Sequence, residues 1–179
     1  HQNHLIFDIS YIKIQKAIPL IKKIALITGA SRGLGAALSE RLSETHHIIA
    51  VARTVGGLED LDDRIKSKNG TATLAPMDIT NRDAMSQLFT SIFEKWGSID
   101  FWAHTAIHAP PLSPLITIDS GDLDKTISTN ITATALLINF ISPIISKEGN
   151  ALFFDDPCNG KKFFGAYGSS KIAQMSLVQ

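Results

Sequence analysis

The sequence has 179 residues, of which 44% are hydrophobic and 19% charged, and it contains a single cysteine, Cys158. A chain of this length and apolar content forms one domain with one core, which excludes a mainly disordered protein. Its 17 basic and 17 acidic residues leave no net charge to attract nucleic acid or anionic lipid. One cysteine cannot form a disulfide framework, so we expect a reduced, cytoplasmic protein.

The chain begins at His1 rather than Met, which indicates a fragment or a processed product. Residues 1–21 fit no strand and helix unit and are predicted to be an N-terminal extension. Within them, Leu5–Ile14 lacks the basic leading region of a signal peptide. No stretch reaches the about 18–20 uncharged apolar residues of a membrane helix. The longest, Ala133–Ile145, is too short and contains Pro143. A helix that begins near Leu123 is predicted to kink or end near this proline.

Short apolar runs recur from Lys22 onward, and each is predicted to be a strand that is buried on both faces. These runs are Ile24–Thr28, Ile48–Ala52, Thr71–Met77, Ile99–His104 and Ala151–Phe154.

Amphipathic segments separate the runs and are predicted to be helices. The clearest is Asn81–Trp96, where apolar residues recur at helical spacing after a Thr80-x-x-Asp83 capping pattern. The preceding helix is predicted to end at Asn69-Gly70. Alternating strands and helices predict a doubly wound α/β fold, a parallel sheet with helices on both faces, in one Rossmann-like domain over residues 22–179.

A glycine-rich turn, residues 28–35 with the sequence TGASRGLG, follows the first strand and leads into a helical run. Glycines let the backbone approach a pyrophosphate, and the helix start offers free N–H groups and a positive dipole end. Such glycines also occur in purely structural turns, but their place between a buried strand and a helix favours a dinucleotide. The predicted contacts here are Gly29, Ser31, Arg32, Gly33, Leu34 and Gly35.

The turn matches the TGxxxGxG motif of the short-chain dehydrogenase/reductase family, which the sequence resembles from Lys22 to Gln179. Residues 167–171, YGSSK, fit the YxxxK motif of that family. Together the two motifs, in the correct order, are far more specific than either alone. The resemblance implies that Asn130 is the catalytic asparagine and that Asp78 and Ile79 contact the cofactor, Asp78 at its adenine.

The charge pattern distinguishes between the two nicotinamide cofactors. An acidic residue after the second strand would bind the ribose 2′-hydroxyl of NAD, but here Arg53 follows that strand. A guanidinium suits the 2′-phosphate of NADP, and Arg32 in the glycine-rich turn supplies another. Either arginine alone is also typical of a solvated surface, but the pair at these two places predicts NADP(H).

Tyr167 and Lys171 are separated by one helical turn, so both side chains lie on one helix face. An ammonium within about 4–6 Å lowers the pKa of a phenol, ordinarily about 10, by about 1–3. We therefore predict that Tyr167 gives a proton to the substrate while the nicotinamide delivers hydride. The resemblance implies that Lys171 also holds the ribose hydroxyls and that Asn130 supports a water path.

The serine that the family carries after its fifth strand is absent, and Asp155 and Asp156 stand in its place. An ionised carboxylate opposes an oxyanion but suits a nitrogen base that gains positive charge. Pteridine reductases of the family are similar here, so carbonyl and C=N substrates both stay open, with Asp156 replacing the serine. A solvated acidic loop is the alternative, in which Cys158 and Asn159 offer substitute polar groups.

The Asn-Asn-Ala-Gly of the family after the fourth strand is replaced by His104, Thr105, Ala106 and Ile107, so only Ala106 matches. Backbone contacts of Ala106 to the cofactor are expected to survive, whereas bracing of the strands by asparagine is expected to be lost. His104 and His108 have a spacing found in metal sites. We predict no metal, because no carboxylate is near them in sequence and the family needs no catalytic metal.

The chain ends at Gln179, inside a helix that begins near Gly165. The resemblance implies that the last strands and the substrate-covering loop are missing, that the fifth strand is a sheet edge, and that the full-length form is a homo-oligomer. We predict an NADP(H)-dependent oxidoreductase acting on a small-molecule carbonyl or C=N compound, with this shorter form inactive or nearly so. The alternative is a catalytically silent NADP-binding or dimerising protein.

Overall fold

A computed structural model of the chain describes residues 22–156 and 161–178. Its strands are β1 Lys23–Thr28, β2 His46–Ala52, β3 Thr71–Pro76, β4 Ile99–His104 and β5 Ile145–Phe153. They form one sheet in the order β3-β2-β1-β4-β5, and every neighbouring pair is parallel. The predicted doubly wound α/β fold is therefore confirmed. The predicted extension and the polar pair Cys158 and Asn159 lie outside the described residues.

Helices cover both faces of this sheet. Their bounds are α1 Gly33–Leu42, α2 Val55–Ser67, α3 Arg82–Trp96, α4 Ser120–Ile127, α5 Ala133–Ile141 and α6 Gly165–Leu177. One core lies under α1 and α2 and contains Leu58 and Leu61; the other lies under α3 and α5 and contains Phe89 and Leu137. The sheet is thus enclosed between two apolar layers.

Successive residues of β1 alternate between these two cores. Ile24 and Leu26 belong to the core under α3 and α5, whereas Ala25 and Ile27 belong to the core under α1 and α2. None of the four is more than 5% exposed. Because both faces of the strand are covered, the sequence shows an unbroken apolar run instead of an alternating one.

The start of α3 differs from the predicted capping pattern. Asn81 is the cap, because its Oδ1 accepts a hydrogen bond of 3.0 Å from the N–H of Ala84. Thr80 is not the cap, since its hydroxyl donates to Oδ1 of Asp78 at 2.8 Å. The predicted apolar face is also narrower than expected, as Phe93 is 57% exposed. At the end of α2, Asn69 has a φ of 58°, which agrees with the predicted helix end.

The fifth strand begins earlier than the predicted Ala151–Phe154 segment. Ile145 pairs with Ile99, but Asn150 pairs with Phe101, so the register shifts between the two pairs. This irregular stretch has no regular apolar pattern, and the sequence therefore gives no strand signal for it. β5 is at an edge of the described sheet, as predicted.

The helices α4 and α5 are parts of one helical run, Ser120–Ile144, joined by a π-helical turn at Ser128–Thr132. The helix that was predicted to begin near Leu123 and to kink or end near Pro143 agrees with this run, which begins at Ser120 and ends at Ile144. By length and composition the run could cross a membrane, since an 18-residue window has a mean hydropathy of 1.3. Core helices of soluble proteins pass the same test, and Leu137 and Ile141 here pack against the sheet.

Leu137→Ala should lower the free energy of unfolding by about 2–5 kcal/mol, because the lost side chain is fully buried and leaves a cavity. Leu112→Ala is the matched control at a position that is 59% exposed, and it should change the same quantity by about 0.5 kcal/mol or less. Urea unfolding followed by circular dichroism measures both. Equal effects of the two substitutions would contradict this packing.

Candidate active site

The carboxyl ends of the parallel strands border one cleft of about 520 Å³. It lies where the strand order reverses, between β1 and β4, the place where open α/β sheets bind ligands. All residues predicted to contact the cofactor line it: Gly29, Ser31, Arg32, Gly33, Leu34, Gly35, Arg53, Asp78, Ile79, Ala106, Tyr167 and Lys171. Asp156 also lines the cleft, so residues that are distant in sequence meet here.

The glycine-rich turn has no space for a side chain at two of its glycines. Gly29 has a φ of 88°, and a Cβ at this position would lie 2.5 Å from the amide nitrogen of Ala106. A Cβ at Gly35 would overlap the carbonyl oxygen of Gly29 and would lie 2.5 Å from Oγ1 of Thr105. The start of α1 therefore packs directly on the turn and on the segment that follows β4.

Gly33 has a different environment from these two glycines. Its φ is 55°, and no atom lies within 4 Å of the position that its Cβ would occupy. α1 begins here, so the N–H groups of its first turn have no partner within the helix. Free N–H groups and the positive end of a helix suit an anion such as a pyrophosphate. The residues present therefore fit a dinucleotide.

Arg53 and Asp78 follow β2 and β3 and form a loose ion pair, with Nη1 of Arg53 3.8 Å from Oδ2 of Asp78. The N–H and the hydroxyl of Thr80 both donate to Oδ1 of Asp78, at 2.9 and 2.8 Å, which fixes that carboxylate. The Arg53 side chain is 72% exposed and Arg32 is also exposed. Both guanidinium groups are therefore accessible to an anion in the cleft.

Tyr167 and Asp156 are in direct contact at the inner end of the cleft. The phenol Oη of Tyr167 donates a hydrogen bond of 2.8 Å to Oδ2 of Asp156. The neighbouring carboxylate of Asp155 accepts the N–H of Asp156 at 2.8 Å, which holds the chain after β5 in a tight turn. The structure thus brings Asp156 to the tyrosine of the YxxxK motif.

Lys171 extends from α6 into the same region and is 5% exposed. Its Nζ donates to the carbonyl oxygen of Phe154 at 2.5 Å and to Oε1 of Gln174 at 2.6 Å. Burial lowers the pKa of Lys171, whereas the charges of Asp156 and Asp155 act in the opposite direction. The two carboxylates therefore help the buried ammonium to keep its charge.

Asn130 is a predicted catalytic residue that does not line the cleft. It is fully buried, and its Oδ1 accepts the N–H of His108 at 2.7 Å. Its Nδ2 donates to the carbonyl oxygen of His108 at 2.8 Å and to Oγ of Ser170 at 2.9 Å. The side chain therefore links the segment after β4 to α6, and its support for a water path stays a prediction.

Side chains other than asparagine brace the strands at this point. Nδ1 of His104 lies 2.7 Å from Oγ1 of Thr28, and its Nε2 lies 3.1 Å from Oγ1 of Thr134. Thr105 donates from its hydroxyl to the carbonyl oxygens of Thr28 and Gly29, at 2.9 and 3.2 Å. An imidazole and a hydroxyl together supply the donors and acceptors that were expected from asparagine side chains.

His104 is uncharged in the folded protein. Its complete burial, and to a smaller extent the charge of Lys171, lowers its pKa to about 3. Both ring nitrogens are hydrogen-bonded to threonine hydroxyls, so this histidine is not available as a metal ligand. Within residues 22–156 and 161–178, no group of three or more His, Cys, Asp or Glu side chains could hold a metal ion.

Gln174 lines the cleft and was not identified from the sequence. It is 1% exposed and contacts Lys171 directly. Its position three residues after Lys171 on the same helix was the available signal, since such neighbours share a helix face. Glutamine is common on helix surfaces, so the spacing alone does not indicate a buried role.

A comparison with known protein families agrees with this site, in which the glycine-rich turn and the YxxxK motif share one cleft. Residues 23–179 match the family model described as short chain dehydrogenase. The chain belongs to the short-chain dehydrogenase family. This result confirms the resemblance seen in the sequence.

Curated short-chain dehydrogenase relatives are longer than this chain. A fatty acyl-CoA reductase of Acinetobacter baylyi is 29% identical over 157 residues, which cover 84% of this chain and 53% of that protein. An uncharacterized oxidoreductase of Listeria monocytogenes is 29% identical over 163 residues, covering 88% and 65%. The chain thus spans about half to two thirds of the length of these relatives.

Solved short-chain dehydrogenase structures have the same fold. A metagenomic short-chain oxidoreductase in complex with NADP superposes with a TM-score of 0.77 at 26% identity, covering 88% of this chain and 74% of that one. A carveol dehydrogenase from Mycobacterium avium in complex with NAD has a TM-score of 0.80 at 20% identity, covering 88% and 64%. At 20% identity the likeness concerns the fold alone.

The neutral state of His104 should make the stability of the fold depend on pH. Its pKa is about 3 when folded against an ordinary value of 6.5, so protons bind preferentially to the unfolded chain below about pH 6.5. Stability should be retained above that pH and should fall by up to about 1.4 kcal/mol per pH unit below it. His104→Gln removes this titration and should give a flatter profile in urea unfolding between pH 7 and 4. Parallel profiles for the two proteins would contradict a buried neutral histidine.

Proposed function

We propose that this chain is the cofactor-binding and proton-donating part of a cytoplasmic, homo-oligomeric NADP(H)-dependent oxidoreductase. One observation carries the proposal: the glycine-rich turn and the Tyr167, Lys171 and Asp156 side chains line a single cleft. Residues 22–179 form its dinucleotide-binding domain. The site favours a C=N bond as the group that is reduced, and a carbonyl is the second candidate.

The N–H groups at the start of α1 would hold the pyrophosphate of the cofactor, with the open space beside Gly33 allowing it to approach the backbone. Arg32 and Arg53 would bind the 2′-phosphate, and Asp78 with Ile79 would contact the adenine. When bound, the cofactor supplies hydride to the substrate. The related oxidoreductase in complex with NADP supports this assignment.

The choice between NADP and NAD depends on Arg53. Its only contact to a carboxylate among the described residues is the 3.8 Å pair with Asp78, which is long for an ion pair and partly solvated. Little free energy is therefore lost when Arg53 turns to a phosphate. A phosphate group near two guanidinium groups should contribute about 1.5–3 kcal/mol for each charged hydrogen bond.

NADPH should bind this chain at least about tenfold more tightly than NADH, because one charged hydrogen bond of about 1.5 kcal/mol already gives that ratio. Arg53→Asp should abolish the preference through loss of the guanidinium and repulsion of the phosphate. Arg41→Asp makes the same charge change at an exposed position outside the cleft lining and should leave the preference intact. Fluorescence titration with both cofactors measures the ratio. An unchanged ratio in Arg53→Asp would refute the assignment.

The contact between Tyr167 and Asp156 suggests the class of substrate. A carboxylate beside the reacting atom would repel the negative oxygen that forms when a carbonyl takes up hydride. The same carboxylate would stabilise a nitrogen that bears positive charge before or during hydride uptake. In this reaction Tyr167 holds a proton at Oη that it can give to the nitrogen, and the Asp156 carboxylate accepts the hydrogen bond of the phenol and orients it.

Because this shorter form is expected to be inactive or nearly so, turnover is measured on a C-terminally extended form of the enzyme. In that form, the rate of Asp156→Ser on two substrates separates the two classes. With a dihydropterin as the C=N compound, the variant should be about 100-fold slower, as for other positioned acid–base groups. With a ketone, the change should raise the rate, because the carboxylate no longer opposes the oxyanion. Asp155→Ser changes the exposed neighbouring residue and is the control. It should have the smaller effect on the rate with either substrate. Identical pH–rate profiles of parent and Asp156→Ser would place Asp156 outside the reaction.

A catalytically silent NADP-binding or dimerising protein is the second candidate function. The hydrogen bond from Tyr167 to a carboxylate favours it, because that bond competes with donation to a substrate. NADPH binding with the expected preference for NADPH, but without turnover of either substrate, would support this candidate. NADPH-dependent turnover that Tyr167→Phe abolishes would exclude it.

A further inference from the structure

The amide of Gln174 links the ammonium of Lys171 to the protein interior. Oε1 of Gln174 accepts from Nζ of Lys171 at 2.6 Å. On its other side, Nε2 donates to Oγ1 of Thr134 at 3.0 Å and to the carbonyl oxygen of Asn130 at 3.3 Å. Both ends of the amide are therefore used, and a reversed amide would point its N–H groups at the ammonium. This orientation is the one that stabilises a charged lysine.

The hydrogen bonds continue from Gln174 to the first strand. Thr134 has one hydroxyl hydrogen, which it donates to the carbonyl oxygen of Asn130 at 2.8 Å, so it accepts from Nε2 of His104. Nδ1 of His104 then accepts from the hydroxyl of Thr28. This assignment gives His104 one hydrogen, which agrees with its neutral state. An unbroken series of hydrogen bonds thus joins Lys171 to Thr28, the first residue of the glycine-rich turn.

We propose that Gln174 is a positioning residue that fixes the ammonium of Lys171 in the cleft and stabilises its charge. Through Thr134 and His104 it also keeps α6 in register with the glycine-rich turn. This inference rests on the proposed function only in that the proposed function gives Lys171 a part in catalysis. The titration of Lys171 can be measured without cofactor, substrate or turnover.

The charged and titratable groups around Lys171 come from several elements. Asp155 and Asp156 follow β5, Tyr167 lies on α6, and the neutral His104 lies at the end of β4. Gln174 adds no charge to this group. Its Oε1 is a hydrogen-bond acceptor, and accepting from the ammonium favours the charged form of Lys171. Its removal should therefore favour the neutral amine, even though the two carboxylates are unchanged.

Substitutions with opposite electrostatic effects test this role. Gln174→Met keeps the size of the side chain but removes the acceptor, so the pKa of Lys171 should fall by about one to two pH units. Gln174→Glu keeps an oxygen beside Nζ and adds a negative charge, so the pKa should rise. Gln87→Met, at an exposed position on α3, is the control and should leave it unchanged.

The measurement is a titration of the lysine Cε signals by NMR on the chain as it is, with the Lys171 signal identified by its loss in Lys171→Arg. Opposite shifts in Gln174→Met and Gln174→Glu support the proposal. Shifts in the same direction, or none, overturn it, because a purely structural residue would act alike in both. Circular dichroism shows whether each variant folds. If Gln174→Met does not fold, a raised pKa in Gln174→Glu supports the proposal and an unchanged or lowered pKa overturns it.

Discussion

The hydrogen bond between Thr28 and His104 is the contact on which the rest of the site depends. It joins β1 to β4, the two strands between which the strand order reverses and the cleft opens. Polar atoms at this depth are stable only when each has a partner. Here Thr134 and Gln174 provide the next partners, and the series ends at Lys171, which faces the cleft. One buried network thus sets the relative positions of the glycine-rich turn and α6.

The same network determines which buried groups are charged. Lys171 is surrounded by acceptors and by the field of two carboxylates, which offset the cost of burying an ammonium. His104 is completely buried and has the charge of Lys171 nearby, and both lower its pKa, so it stays neutral with a hydroxyl partner at each ring nitrogen. The buried network therefore carries its positive charge at Nζ of Lys171, whose charge is favoured by Asp156, the carboxylate that accepts from Tyr167.

Local sequence patterns were sufficient to locate strands that are buried on both faces. The apolar runs located β1 to β4, because strands covered on both faces have no reason to alternate. They failed at the start of β5, where the register shift removes the pattern, and at the cap of α3, where the hydroxyl of Thr80 turns to Asp78.

The fold class and the family could be predicted from the sequence, because they depend on apolar runs, helical spacing and short motifs, each of which is contained within a few consecutive residues. Only the tertiary structure decided that Asp156 contacts Tyr167, that Asn130 lies outside the cleft lining, and that Gln174 holds Lys171. Those contacts join side chains from separate elements, and their direction depends on helix packing and strand register. Neither is encoded in the spacing of the residues that meet.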